Sequence, residues 1–311
     1  MKSLKPRKIA LIIMTAIYLV VSSFLAWNIY VNGTEFKKQR TEQAKVLDSK
    51  QRLTDWKEWL GDKFNLGNLF DRSNVEKGAE AESEAQTFYT EAVFYGWLLV
   101  GLSLFYFLVT LFLYRGATLL CRYLSFSLTI IAFVFLAVGI TVPMLEIGFF
   151  SDLLNIPIEF DVPYIDKHVD LSTKFQGRMY FFYQNKSVVD VIYLLFTHDN
   201  ILVGSIILLF SVITPLLKLS LSLYQFFVPK SENKVADFFI QYLGKWSMAD
   251  VYVVSFFLAY LSIQNMAAGV QSETNVLIGL YFFLSFVVLS IVSSMLLKNS
   301  AKRRMDTIII N

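Results

Sequence analysis

The chain is poor in the residues that most soluble chemistry depends on. Its single cysteine, Cys121, excludes an internal disulfide framework and any CxxC zinc site. Two histidines, His168 and His198, leave little material for a metal centre. Charged residues make up only 17% of the 311 positions, where a soluble chain carries about 25%. Gly33, Gly61 and Gly67 stand outside any phosphate-binding loop, and no nucleophilic triad is visible. The sequence therefore predicts neither an enzyme nor a bound cofactor or metal. A formal net charge of only +3, with the basic residues mostly flanking apolar runs, argues against a nucleic-acid partner.

What the chain has is apolar length. Hydrophobic residues make up 55%, and several runs match the ~20 residues needed to cross ~30 Å of hydrocarbon. The reading is an all-α polytopic membrane protein with six transmembrane helices. The spans are placed at about Ile9–Asn28, Val93–Tyr114, Leu124–Val142, Ile201–Phe227, Val251–Ala267 and Val276–Leu297. The first follows a basic "MKSLKPRK" but has no A-x-A site behind it, so it reads as an uncleaved anchor. Lys and Arg cluster before the first span, between the second and third, between the fourth and fifth, and after the sixth. All four sets fall on one side, which predicts that both termini are cytoplasmic.

Residues 1–115 read as an N-terminal transmembrane pair carrying an extracytoplasmic helical hairpin over 31–90. Leu53, Trp56, Leu60 and Phe64 share one helical face there, and "GNLFDRSN", residues 67–74, is a turn-rich break. The hairpin either packs on the protein itself or docks a partner. Residues 116–304 read as a four-helix module with an extracytoplasmic loop over 151–199, and 305–311 as a cytoplasmic tail. In the loop, Ile158, Phe160 and Val162 alternate with polar residues, and "RMYFFYQNKS" is strand-like. The expectation is a small β-sheet capping the outer helix ends. Pro143 closes the third span, and Glu146 reads as an interfacial acid.

One stretch conflicts with its surroundings. "SVITPLLKLSLSL", residues 211–223, puts Pro215 and Lys218 inside the fourth span. Ser211, Thr214 and Lys218 are spaced i, i+3, i+7 and share a face. Pro215 cannot donate to the carbonyl of Ser211, so a kink is expected. A lysine in the hydrocarbon costs ~2.5–3.5 kcal/mol on insertion scales. Lys218 either snorkels to the inner surface or faces the bundle and pairs with an acid. The acid at hand is Asp250, in "GKWSMADVYVV", at the inner start of the fifth span. Asp250 also suits a helix N-terminus on its own, with Ser247 as N-cap and Trp246 as interfacial anchor. Ser285 on the sixth span would complete a polar cluster, or simply bond its own helix. An apolar cleft open to the bilayer is expected near Phe210, Phe256 and Phe283.

These residues resemble the paraquat-inducible protein A family. The matching text is "NKSVVDVIYLLFTHDNILVGSIILLFSVITPLLKL", residues 185–219, followed by "GKWSMADVYVV", with "TVPMLEI", residues 141–147, similar to the family's proline segment. The likeness covers roughly residues 124–298, one module. It implies a tetraspanin-like bundle in a bacterial inner membrane and a role in envelope lipid transport. The implied partners are membrane lipids and a periplasmic protein with mammalian-cell-entry domains. The cluster suspected of proton coupling would be Ser211, Lys218, Asp250 and Ser285. Family members commonly carry two modules and zinc ribbons; this chain shows one module and no ribbon, which leaves a homo-oligomer open. A non-transporting scaffold and a small-solute transporter are the alternative readings.

Overall fold

The computed structural model describes residues 4–54, 72–115, 120–156, 159–162, 167–170, 173–227 and 271–310. Helices α1 (Leu4–Val46), α2 (Ser49–Thr54), α3 (Arg72–Leu113) and α4 (Leu120–Thr141) lead into a sheet region. Strands β1 (Leu145–Ile156), β2 (Glu159–Val162), β3 (Lys167–Asp170) and β4 (Thr173–Lys186) follow. Next come α5 (Val188–Thr197) and α6 (Ile201–Leu208), a π-helical turn over Leu209–Ile213, α7 (Thr214–Phe227), β5 (Gln271–Val276) and α8 (Ile278–Ile310). The fold is mostly helical. Among the described residues five helices are long and apolar enough to cross a membrane, within Ile9–Val46, Glu76–Leu113, Leu120–Thr141, Ile201–Tyr224 and Ile278–Leu297. The expected span at Val251–Ala267 lies outside the described residues.

Three boundaries differ from the sequence reading. The first span does not stop near Asn28; α1 continues without a break to Val46. Likewise α3 starts at Arg72, well before the apolar run at Val93. The hairpin over 31–90 is therefore, where described, the continuation of two membrane helices together with the short α2. No proline stands at 29–46, and Ile29, Phe36 and Ala44 keep a buried face that carries the helix through Asn32 and Gly33 where hydropathy has fallen. The sixth span begins at Ile278 because Gln271–Val276 is a strand.

That strand completes an antiparallel sheet of order β4-β1-β5. β2 and β3 form a separate two-stranded ribbon. Residues before 151 and after 270 thus contribute to a sheet that was expected within 151–199 alone. The central strand grows directly from α4. Met144 and Pro143 make the junction: Leu277 N–H donates to Met144 O at 3.0 Å, and Gly279 N–H to Pro143 O at 3.2 Å.

Two glycines allow α8 to press against this junction. A Cβ on Gly279 would stand 2.5 Å from the carbonyl oxygen of Val142, and one on Gly139 would stand 2.8 Å from the Phe283 nitrogen. Backbone lies on the far side in both cases, so no side chain can swing away. Close approach at small residues is how helices associate where lipid removes the hydrophobic drive. Gly279→Ala is expected to destabilise the protein by about 1–3 kcal/mol, the usual range for overpacking. A lowered melting temperature in detergent would register it.

In the N-terminal pair, hydroxyls join α1 to α3 inside the apolar stretch. Thr15 Oγ1 lies 2.8 Å from the Tyr106 hydroxyl, and Tyr18 OH 2.9 Å from Ser103 Oγ. The Tyr18 and Tyr106 rings stack at 4.4 Å. At the opposite end of α4, Arg122 donates to the carbonyl of Phe226 and lies over its ring, closing the C-terminus of α7.

Beyond the membrane, α1 docks onto the sheet through a buried charge network. Arg40 Nε donates to Glu146 Oε1 at 2.6 Å, Nη1 to Gln43 Oε1 at 2.6 Å, and Nη2 to Glu273 Oε1 at 3.0 Å. The two principal side chains are 6% and 3% exposed. Glu146 is therefore no surface acid. β1 places it between Asn185 and Asn275 on the neighbouring strands. It accepts from Tyr183 OH at 2.7 Å and from Asn275 Nδ2 at 3.2 Å. Burial and the Glu146 carboxylate push the Tyr183 phenol well above its ordinary 10.0, so it stays a donor. The end of α1 is also tied in, with Tyr180 N–H donating to Leu47 O at 2.8 Å.

A second tie joins α1 to α5. Lys37 Nζ sits 2.7 Å from Asp190 Oδ1. Asp190 also closes a capping box with Ser187, its Oδ2 accepting from the Ser187 N–H at 2.8 Å. Burial raises the Asp190 carboxyl, but Lys37 and Ser187 outweigh it, and the net shift is downward from 3.8. Because the folded value is depressed, this stabilisation is complete above the unfolded value and is lost as pH falls through the folded one. The melting temperature should fall on acidification below pH 3.8. Asp190→Asn should make that acid limb shallower.

Candidate functional site

The fourth span is built in three pieces. α6 runs to Leu208, the π turn occupies Leu209–Ile213, and α7 starts at Thr214. The Thr214 N–H donates to Leu209 O, a five-residue step that inserts one extra residue into the helix. Pro215 follows at once. The sequence predicts a disturbance here because Pro215 leaves the Ser211 carbonyl without its usual donor; the π turn is the form it takes. Such turns concentrate where a helix must present unusual groups.

Ser211, Pro215, Lys218 and Leu219 are buried, and Thr214 is half-buried beside them. Lys218 is 8% exposed, so its stem and head lie within the protein and not along the lipid face. Its neighbours Ile213 and Leu217 on the same helix are exposed. α7 packs on α4, with Leu219 sharing a core with Phe126 and Ile130. Asp250, Trp246, Ser247 and Phe256 lie outside the described residues.

α4 and α8 add a hydroxyl cluster that the sequence reading did not select. Ser293 Oγ lies 3.0 Å from Ser125 Oγ and 2.7 Å from Thr129 Oγ1, all of them buried. Ser290, one turn before Ser293, is buried with its hydroxyl unpartnered. The signal was available: Ser125 and Thr129 are spaced i, i+4, and Ser290 and Ser293 i, i+3, each on one helical face.

Ser285 faces elsewhere. It lines a groove of about 300 Å³ between α3 and α8, with Tyr89, Val93, Gly96, Trp97 and Phe282 among the other walls. Trp97 is 72% exposed at its edge, and Tyr281 stands beside it. The groove begins at the level of Tyr89, near the sheet end of the spans, and is almost wholly apolar. An apolar cleft was expected near Phe210 and Phe283. Phe283 is instead core, its ring tilted against Phe286, and the groove opens on the neighbouring face of α8.

Membrane-length helices with hydroxyls and a lysine buried between them, capped at one end by a sheet, define a multi-pass membrane protein. The family model of paraquat-inducible protein A matches residues 173–302, so this part of the chain is similar to that family. The match takes in Ser211, Thr214, Pro215, Lys218, Trp246, Ser247, Asp250 and Ser285, and leaves Pro143 and the N-terminal pair outside. No curated protein matches the chain, and no solved structure does.

Proposed function

We propose that this protein is the inner-membrane subunit of an envelope lipid-transport system. It would load lipid into, or extract it from, a periplasmic partner with mammalian-cell-entry domains. The observation that carries the reading is the apolar groove between α3 and α8, walled by Trp97, Val100 and Phe282. A solute pathway needs polar walls along its length; this groove suits an acyl chain. The family match over residues 173–302 supports the same class.

Coupling is assigned to the fourth span. Lys218 is buried on a helix interrupted by a π turn, with Ser211 and Thr214 on the same side. Asp250 is its proposed counter-ion, and protonation of the pair would bias two arrangements of the bundle. Trp246 and Ser247 would set the start of the following helix. Both termini are placed in the cytoplasm, on the strength of the Lys and Arg distribution.

Affinity purification from native membrane, read by protein and lipid mass spectrometry, tests this. Enrichment of phospholipid together with an envelope partner is the expected result. A partner without lipid enrichment would leave only a scaffold, and neither would remove the reading.

A further inference from the structure

α5 is an element with no role in the function above. Its ten residues, VVDVIYLLFT, extend about 15 Å and cannot cross a membrane. Its two faces are both apolar. Val188 and Ile192 point into the protein, and Leu195 lies 3.3 Å from where a Gly204 Cβ would be. Val189, Tyr193 and Phe196, at i, i+4 and i+7, form an outward stripe, with Tyr193 71% exposed. An outward apolar stripe is a cost in water and a gain in lipid.

The ends of α5 fix how it lies. The capping box and the Lys37 pair hold its start beside the sheet. Its end is a sharp reversal, with Asp199 at φ 59° and Asn200 N–H donating to Leu195 O at 3.0 Å. The spanning helix begins immediately after, with Ile201, Leu202 and Val203 exposed. The stripe is thus continuous with the lipid-facing surface of α6. Exposed Trp27, Tyr30, Trp97 and Tyr281 stand at the sheet ends of the other spans, the usual place for an aromatic girdle.

We infer that α5 is a membrane-surface helix, lying in the leaflet on the sheet side with Val189, Tyr193 and Phe196 inserted among the acyl chains. Tyr193 is its contribution to the girdle. Because Leu195 and Phe196 pack on Gly204, the leaflet is in mechanical contact with the helix that carries the π turn and Lys218.

Spin-label depth measurements on the full chain test this. The protein is reconstituted in phosphatidylcholine–phosphatidylglycerol vesicles with Cys121→Ser, and single nitroxides are placed through Val189→Cys, Tyr193→Cys or Phe196→Cys. Glu80→Cys on the exposed flank of α3 is the aqueous control. Oxygen collisions should exceed those with a water-soluble nickel chelate several-fold at positions 189, 193 and 196, with the order reversed at 80. Nickel collisions at control levels on the stripe would overturn the inference. So would labels immobilised and shielded from both colliders, which would mean a protein covers the face. The three positions report independently, so failure of one variant to express leaves the others decisive.

Discussion

Lys218→Met is expected to abolish transport while leaving the melting temperature unchanged or raised. A lysine kept only for structure would behave in the opposite way. Its burial costs several kcal/mol, offset only by a counter-charge and hydrogen bonds of good geometry. Replacing it with an apolar side chain of similar length removes the desolvation cost. If Asp250 is the counter-ion, it takes up a proton and stays in place. Asp250, placed by the sequence at the inner start of its span, can take that proton from nearby water at little cost, unlike Glu146 at 3% side-chain exposure; the fold is then little worse off, and the protonation cycle is gone. Activity falls at least tenfold in this reading, measured by rescue of a deletion strain at matched expression. Asp250→Asn should reproduce the loss from the other side. Full rescue by Lys218→Met would end the coupling proposal, and a large drop in melting temperature would assign Lys218 to architecture.

Arg40→Ala is expected to have the largest effect on stability, about 3–5 kcal/mol, the range for removing one partner of a buried ion pair. Its loss leaves Glu146 at 3% side-chain exposure and facing Glu273 without the intervening guanidinium. Tyr183 and Asn275 continue to donate to Glu146, and neither supplies charge. Arg40→Met combined with Glu146→Leu should recover much of the loss, because an apolar pair owes no desolvation. Thermal unfolding of Arg40→Met, Glu146→Leu and the double variant closes the cycle. A double variant no better than Arg40→Ala would mean that the remaining carboxylates at Glu273 and Glu82 dominate the site.

The membrane helices were legible because hydropathy over some twenty residues is a strong signal, and α4, α7 and most of α8 fall where composition puts them. Lys218 and Pro215 were legible because they break that signal. The extension of α1 to Val46 was not. Beyond Tyr30 the helix is held by charges meeting partners more than a hundred residues away, as Arg40 meets Glu146, and periodicity does not carry such pairings. β5 was missed for a related reason. "QSETNV" has no apolar alternation; it is a strand because β1 offers a free edge and Glu273 and Asn275 reach the Arg40 network. Glu146 looked interfacial because one acid beside a proline says nothing of what will cover it. The hydroxyls of Ser125, Thr129 and Ser293 were visible as spacing, but hydroxyls are common in apolar helices, and which of them meet depends on how α4 and α8 cross.

α1 is 43 residues long, about 65 Å at 1.5 Å per residue, roughly twice the hydrocarbon thickness. Its length makes it a lever with its fulcrum in the bilayer. A tilt of about 5° pivoting at the inner end of the span would carry Arg40 roughly 4 Å sideways, more than the Glu146 contact tolerates. The guanidinium therefore sets the angle at which the whole rod stands. Bilayer thickness, which governs tilt, becomes a quantity that the sheet can feel.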